Sequence, residues 1–179
     1  LLENVNINYT LEIANTNDKS FTLNLNGYTL NSSFYNAIRH YGSGTLTITD
    51  NSTGGGGKVT STNSNSGTVC LEGGSLVVSG GIVENQRQRD NCFPIYNNGR
   101  GSVSVVSNGV VKSLYDSAIF NLGVGKITIS DNAKVSSPIR SVYNRGTIYL
   151  HKYNNFDDIL LEINGGTIEN TDSGYAIYS

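Results

Sequence analysis

The side chains that could do chemistry in this chain of 179 residues are scattered rather than gathered. Adjacent carboxylates occur at Asp157-Asp158, inside HKYNNFDD. Neighbours in an extended segment point to opposite faces, so the pair reads as a solvated loop and not as an acid and a base aimed at one bond. Asp50 and Asp131 follow alternating apolar runs, and Asp90, Asp116 and Asp172 lie near coil ends. Asp bonds readily to its own backbone, and turn formation accounts for all five. Glu84, Arg87 and Arg89 in GIVENQRQRD read as a polar patch on a solvated loop. Two cysteines, Cys70 and Cys92, are too few for a disulfide scaffold or a cysteine-rich metal site. The glycine run 54–57 lacks the Lys-Ser/Thr and the helix of a phosphate loop. No catalytic residue, metal site or cofactor is assigned.

The elements that must carry these residues are short strands. With 21 glycines, only 15% charged residues, and no Met or Trp, the chain has the composition of a packed, turn-rich β protein, read as a single domain over 1–179. A net charge of −2 without basic runs argues against a nucleic-acid partner. No apolar run is long enough for membrane insertion, and LLENVNINYT lacks the layout of a signal peptide. The chain reads as mature, or as a piece of something longer.

One outline recurs: AIRHYGSGTLTIT from Ala37, TVCLEGGSLVVS from Thr68, PIYNNGRGSVSVVS from Pro94, AIFNLGVGKITIS from Ala118, SVYNRGTIYL from Ser141 and AIYS from Ala176. The aliphatic second residues are Ile38, Val69, Ile95, Ile119, Val142 and Ile177, spaced 31, 26, 24, 23 and 35 residues apart. Each copy holds three short apolar segments, the third centred on Val59, Val83, Val110 or Val135, with Gly, Asn, Asp or Ser between them. That is three strands and three turns per copy. A lone three-strand coil cannot bury its apolar face, whereas stacked coils pair their strands in parallel over a continuous core. The prediction is an all-β, right-handed parallel β-helix of about seven coils, the hand being the one expected for parallel crossovers. FTLNLNGYTL places one more coil in the first 30 residues, and 151–158 enlarges the last full coil.

The succession TLNLNGYTL, GTLTITDNSTGGGGKVT, AIFN and INGGTIEN resembles the pectate-lyase-like β-helix repeats of very large cell-surface, adhesin-like proteins of Gram-positive gut anaerobes. The resemblance covers nearly the whole chain from Phe21. It implies an extracellular module at the cell surface, one part of a longer anchored protein. It carries over no catalytic residues.

Alternation then assigns faces. With the aliphatic references inward, Arg39, Cys70, Tyr96, Phe120, Tyr143 and Tyr178 point outward. Four of these are aromatic, and stacked on successive coils they form a ladder of rings about 5 Å apart. The candidate ligand-binding residues are therefore Tyr96, Phe120, Tyr143 and Tyr178, with Arg39 at the edge and the 151–158 loop beside the last coils. The competing explanation is that neighbouring rings simply cover one another. One residue further on, His40, Leu71, Asn97, Asn121 and Asn144 turn inward, predicting an asparagine ladder and a turn-forming histidine. In this register Cys70 and Cys92 lie about 13 Å apart along the strand direction, so unpaired thiols are expected, with a bridge left open should QRQRDN fold back.

The functional expectation is a non-catalytic extracellular adhesion module engaging host or dietary glycans or a host surface protein. A polysaccharide lyase or glycoside hydrolase and a passive spacer are the alternatives. An open strand edge at either end would also permit end-to-end or edge self-association.

Overall fold

The computed structural model describes residues 1–14, 18–62, 65–140, 142–143, 145–151 and 160–179. The strands β1 (Val5–Ile7) and β2 (Leu11–Ile13) open the chain as a partial coil. Complete coils follow: β3 (Phe21–Asn24), β4 (Thr29–Ser32) and β5 (Ile38–His40); then β6 (Thr45–Thr49), β7 (Lys58–Ser61) and β8 (Gly67–Leu71). Next come β9 (Ser75–Val78), β10 (Ile82–Asn85) and β11 (Phe93–Asn97), and β12 (Val103–Val105), β13 (Val110–Ser113) and β14 (Ile119–Asn121). In the last two coils one long strand turns the first corner unbroken: β15 (Ile127–Ser137) with β16 (Gly146–Leu150), and β17 (Leu161–Asn170) with β18 (Tyr175–Tyr178).

Every strand pairs in parallel with its counterpart one coil away, which is the architecture of a parallel β-helix. Because β15 and β17 span two faces, hydrogen bonding joins the first and second faces into an 11-stranded sheet, and the third face is a 7-stranded sheet. No helix occurs among the described residues. The complete coils number six rather than seven, since β1 and β2 supply only the second and third faces and Phe21 already begins the next coil.

The core is the set of inward aliphatics on the three faces. Leu46, Ile48, Leu76, Val78, Val103, Val105, Ile127 and Ile129 come from the first; Leu30, Val59, Val83, Val111 and Val135 from the second. Ile38, Val69, Ile95, Ile119 and Ile148 come from the third, and all are buried. Burying each such side chain is worth about 1.5–3 kcal/mol, and each meets its equivalents in the coils on either side. Coil spacing also explains the Gly-x-Gly of the repeat. A Cβ on Gly125 would stand 1.8 Å from the Gly101 carbonyl oxygen, and one on Gly101 would stand 2.0 Å from that of Gly74. Backbones stack at this corner with no room for a side chain.

Candidate functional site

The third face carries the outward column. Its register runs Glu12, Arg39, Cys70, Tyr96, Phe120, Tyr149, Tyr178 along the rod. Arg39, Tyr96, Phe120 and Tyr178 stand where the alternation places them. Tyr143 does not. The inward reference in that coil is Ile148, which pairs with Ile119 and Ile177, whereas Val142 is 81% exposed. Two small–aliphatic–aromatic triplets compete, Ser141-Val142-Tyr143 and Thr147-Ile148-Tyr149. Only the second continues its alternation into another buried aliphatic, Leu150, and so supplies two core residues. With Ile148 in place the last two spacings become 29 and 29.

The rings do stack. Centroids lie 5.9 Å apart from Tyr96 to Phe120, 4.6 Å from Phe120 to Tyr149 and 5.7 Å from Tyr149 to Tyr178, with interplanar angles of 24°, 5° and 8°. Phe93 joins from the start of its strand, 4.3 Å from Phe120. It stands two residues before the inward Ile95, outside the column that the alternation defines, and pairs with Gly67 as Ile95 pairs with Val69. Phe120 is only 7% exposed, so the middle of the ladder is covered while Tyr96, Tyr149 and Tyr178 remain half-open.

Phe120 is enclosed by the stacked rings of Phe93 and Tyr149 and approached by Arg145, a residue without a role in the sequence pattern. Its guanidinium lies 4.6 Å from the Phe120 ring centroid and 4.4 Å from that of Tyr143. Its Nη1 donates to Asp116 Oδ2 at 2.7 Å and its Nη2 to Asn91 Oδ1 at 3.0 Å. Asp116 is fully buried and also accepts from the N–H of Asn91 and of Ser117, at 2.9 and 2.8 Å. Tyr143 thus meets the aromatic face through a shared cation–π contact with Arg145, and not as the outward residue paired with Phe120, a place that Tyr149 holds.

The inward column beside it reads Ile13, His40, Leu71, Asn97, Asn121, Leu150. Asn97 Nδ2 donates to Asn121 Oδ1 at 2.7 Å and to the Gly101 carbonyl at 2.8 Å, so the asparagine ladder forms over these two. Leu150 takes the next rung; Asn144, expected there, lies outside the described residues. His40 does the work of an asparagine: its Nε2 is 2.9 Å from the Gly44 carbonyl, matching the contact of Asn97 with Gly101 four residues on. An N–H at Nε2 donates there, and the turn accounts for the histidine.

The other chemical candidates are also taken up by structure. Asp50 Oδ1 accepts from the N–H of Gly27 and of Ser52, and its Oδ2 from that of Gly57 at 2.7 Å. Partial burial opposes the Asp50 charge, but these three donors outweigh it and hold the carboxyl below its ordinary range. Asp131 accepts from Ser107 N–H at 2.9 Å. Glu84 is buried between Gln86, which donates to it at 3.3 Å, and Lys112 at 3.9 Å, rather than forming a solvated patch with Arg89. Arg87 donates to Asn65 Oδ1 at 2.6 Å. Cys70 and Cys92 are buried free thiols. Burial, then the Glu72 charge, pushes Cys70 up to about 11 against the opposing pull of Arg39, and burial pushes Cys92 upward too. Asp157 and Asp158, with all of the 151–158 loop except His151, lie outside the described residues. Among the described residues no three His, Cys, Asp or Glu come together as a metal site.

Arg39, at the ladder's near end, donates to Glu72 at 2.9 Å, faces Glu12 at 3.8 Å and lies 5.7 Å from the centroid of the Tyr41 ring. The third face therefore offers planar rings in a rigid row with a hydrogen-bonding ion cluster at one end. That chemistry stacks on apolar faces and orders hydroxyls. No known protein family, curated protein or solved structure matches the chain.

Proposed function

We propose that this chain is a non-catalytic, extracellular binding module of a cell-surface protein, whose third face engages host or dietary glycans, or a surface protein presenting similar faces. The observation that carries this reading is the row of near-parallel rings Tyr96, Phe120, Tyr149 and Tyr178 on one rigid sheet. Sugar rings present C–H faces of matching flatness, and an ordered sheet loses little freedom on binding them. Placement at a cell surface rests on the resemblance of the repeats, as does membership of a longer adhesin-like protein.

The test is binding to a panel of mucin glycans and plant and bacterial polysaccharides, with a Tyr96→Ala/Tyr149→Ala/Tyr178→Ala variant confirmed as folded by circular dichroism. Phe120 stays in place because it is buried. The expected result is saturable binding by the parent and its loss in the variant. An absence of binding by the parent overturns the glycan reading. The same incubations, analysed for new reducing ends or unsaturated products, expose a lyase or hydrolase. A passive spacer is the second reading, and the burial of Phe120 among Phe93, Tyr149 and Arg145 favours it by giving part of the ladder a structural role.

A further inference from the structure

We infer that the chain carries a second saccharide site, in the groove between the turn at Phe34-Tyr35 and the Glu12–Arg39 pair, and that it takes neutral sugars. This site shares with the proposal above the reading of the chain as a glycan binder, but it uses other residues and stands or falls separately. The groove has a volume of about 480 Å³, within the range of small-ligand sites, and its lining includes Glu12, Phe34, Tyr35, Asn36, Arg39 and Asn65.

Three observations carry it. First, the two rings have no part in the core: Phe34 is 42% and Tyr35 54% exposed, set edge to face with centroids 4.9 Å apart. The ladder rings cover each other, whereas these two present their area to solvent at the lip of a groove, an arrangement that marks a contact surface. Second, their turn is fixed in advance. The Phe34 N–H donates to Ser32 Oγ at 3.1 Å, the Phe34 carbonyl accepts from Ser61 Oγ at 3.3 Å, and the Asn36 carbonyl accepts from both Thr10 and Ser32 hydroxyls. Binding then costs little loop ordering. Third, the opposite wall carries what vicinal hydroxyls require: carboxylate acceptors on Glu12 and guanidinium donors on Arg39, held 3.8 Å apart, with the Asn65 carboxamide nearby.

Charge selects the class of sugar. Glu12 and Glu72 flank Arg39, Arg87 bonds Asn65, and Arg89 and Asp90 share the next pocket with Asn65, so three carboxylates balance three guanidiniums around the groove. No net field remains to draw in a uronate, sialic acid or sulfated sugar. Rings for the C–H face and paired charges for the hydroxyls suit a neutral pyranoside.

The experiment is calorimetric titration and protein-detected NMR with neutral oligosaccharides of glucose, galactose and N-acetylhexosamines, and with sialylated, uronate and sulfated counterparts. Four proteins are compared: the parent, a turn variant (Phe34→Ser/Tyr35→Ser), Glu12→Ala, and the ladder variant described above. The turn variant removes only exposed rings, and its melting temperature serves as the check on folding. The expected result is a neutral-sugar binding event that survives in the ladder variant, falls at least tenfold in the turn variant and falls about tenfold in Glu12→Ala, where a charge-assisted hydrogen bond is lost. It should change less than about twofold between low and high salt. A turn variant that binds like the parent overturns this inference and leaves the ladder proposal standing. Loss of all binding in the ladder variant overturns the independence of the site. Preference for the anionic sugars overturns the neutral assignment, and a parent that binds no sugar overturns both proposals.

Discussion

Replacing Asp116 by Ala should cost the protein about as much as truncating a large buried side chain. The Asp116 carboxylate is fully buried and receives three donors: the Arg145 guanidinium at 2.7 Å, Asn91 N–H at 2.9 Å and Ser117 N–H at 2.8 Å. These donors come from three successive turns between the second and third faces, so one side chain staples three coils. Truncating one partner of a buried ion pair costs about 3–5 kcal/mol, because the other charge is left without compensation. The Arg145 side chain keeps 12% of its surface exposed, which gives it a route to water and puts the estimate near the lower bound, about 3 kcal/mol. For a chain of this length each kcal/mol moves the melting point by about 2–4 °C, so the shift should be about 6–12 °C downward. Thermal melts followed by far-UV circular dichroism measure it. Asp116→Asn/Arg145→Met, which removes both charges with little change of volume, should recover most of the loss. A melting point for Asp116→Ala within about 2 °C of the parent would refute the claim that this pair holds the turns together.

Three further outcomes follow from the same geometry. The folded pKa of Asp50 lies below its unfolded value, so its stabilisation is complete well above about pH 3.9 and is lost as pH falls through that value towards the folded one. Asp50→Asn should therefore flatten the decline in melting temperature between about pH 5 and 3, and parallel declines in the two proteins would count against the three-donor account. Buried and raised in pKa, Cys70 and Cys92 should resist iodoacetamide at pH 8 in the native protein and react fully in guanidinium, as read by intact mass; stoichiometric native labelling would contradict their burial. Gly125→Ala drives a Cβ to within 1.8 Å of the Gly101 carbonyl and should lower the melting point by at least about 4 °C, while Gly56→Ala, with nothing within 4 Å, should leave it unchanged.

The fold was legible because a β-helix writes its architecture into every coil. Inward aliphatics at alternating positions and glycines at the crowded corner are local requirements, and each repeats wherever the chain passes the same face. The ladder was legible for the same reason at Tyr96, Phe120 and Tyr178. It failed at Tyr143, because a short triplet satisfies the pattern in a loop as well as in a strand. Only burial decides between them, and burial depends on whether a second apolar residue follows. Asp116 was read as a turn residue, but its pairing with Arg145 was invisible for a different reason. Their pairing spans 29 residues and belongs to turns, whose lengths vary from coil to coil, so no periodic signal marks it. His40 shows the reverse case, where a residue type that suggests chemistry was correctly read as a turn former from its column alone.

These contrasts bear on where specificity resides in such a rod. Residues inside the coil answer to their neighbours one rung away, so a change at Ile119 must suit Ile95 and Ile148 together. Residues on the outer columns answer to fewer partners, and exposed rings carried on turns can answer to fewer still. Phe120 shows the outer column without that freedom, since its ring is stacked by Phe93 and Tyr149, approached by Arg145 and buried. Phe34 and Tyr35 show a turn keeping it, their backbone tied by Ser32 and Ser61 while their rings remain open. A surface that evolves new ligands on an unchanging scaffold should do so from such turns first. By that argument, exchanging the 33–36 turn between related coils should transfer saccharide preference without altering the melting point by more than about 2 °C. A transfer that destabilised the rod would mean instead that the turn and the core are not separable.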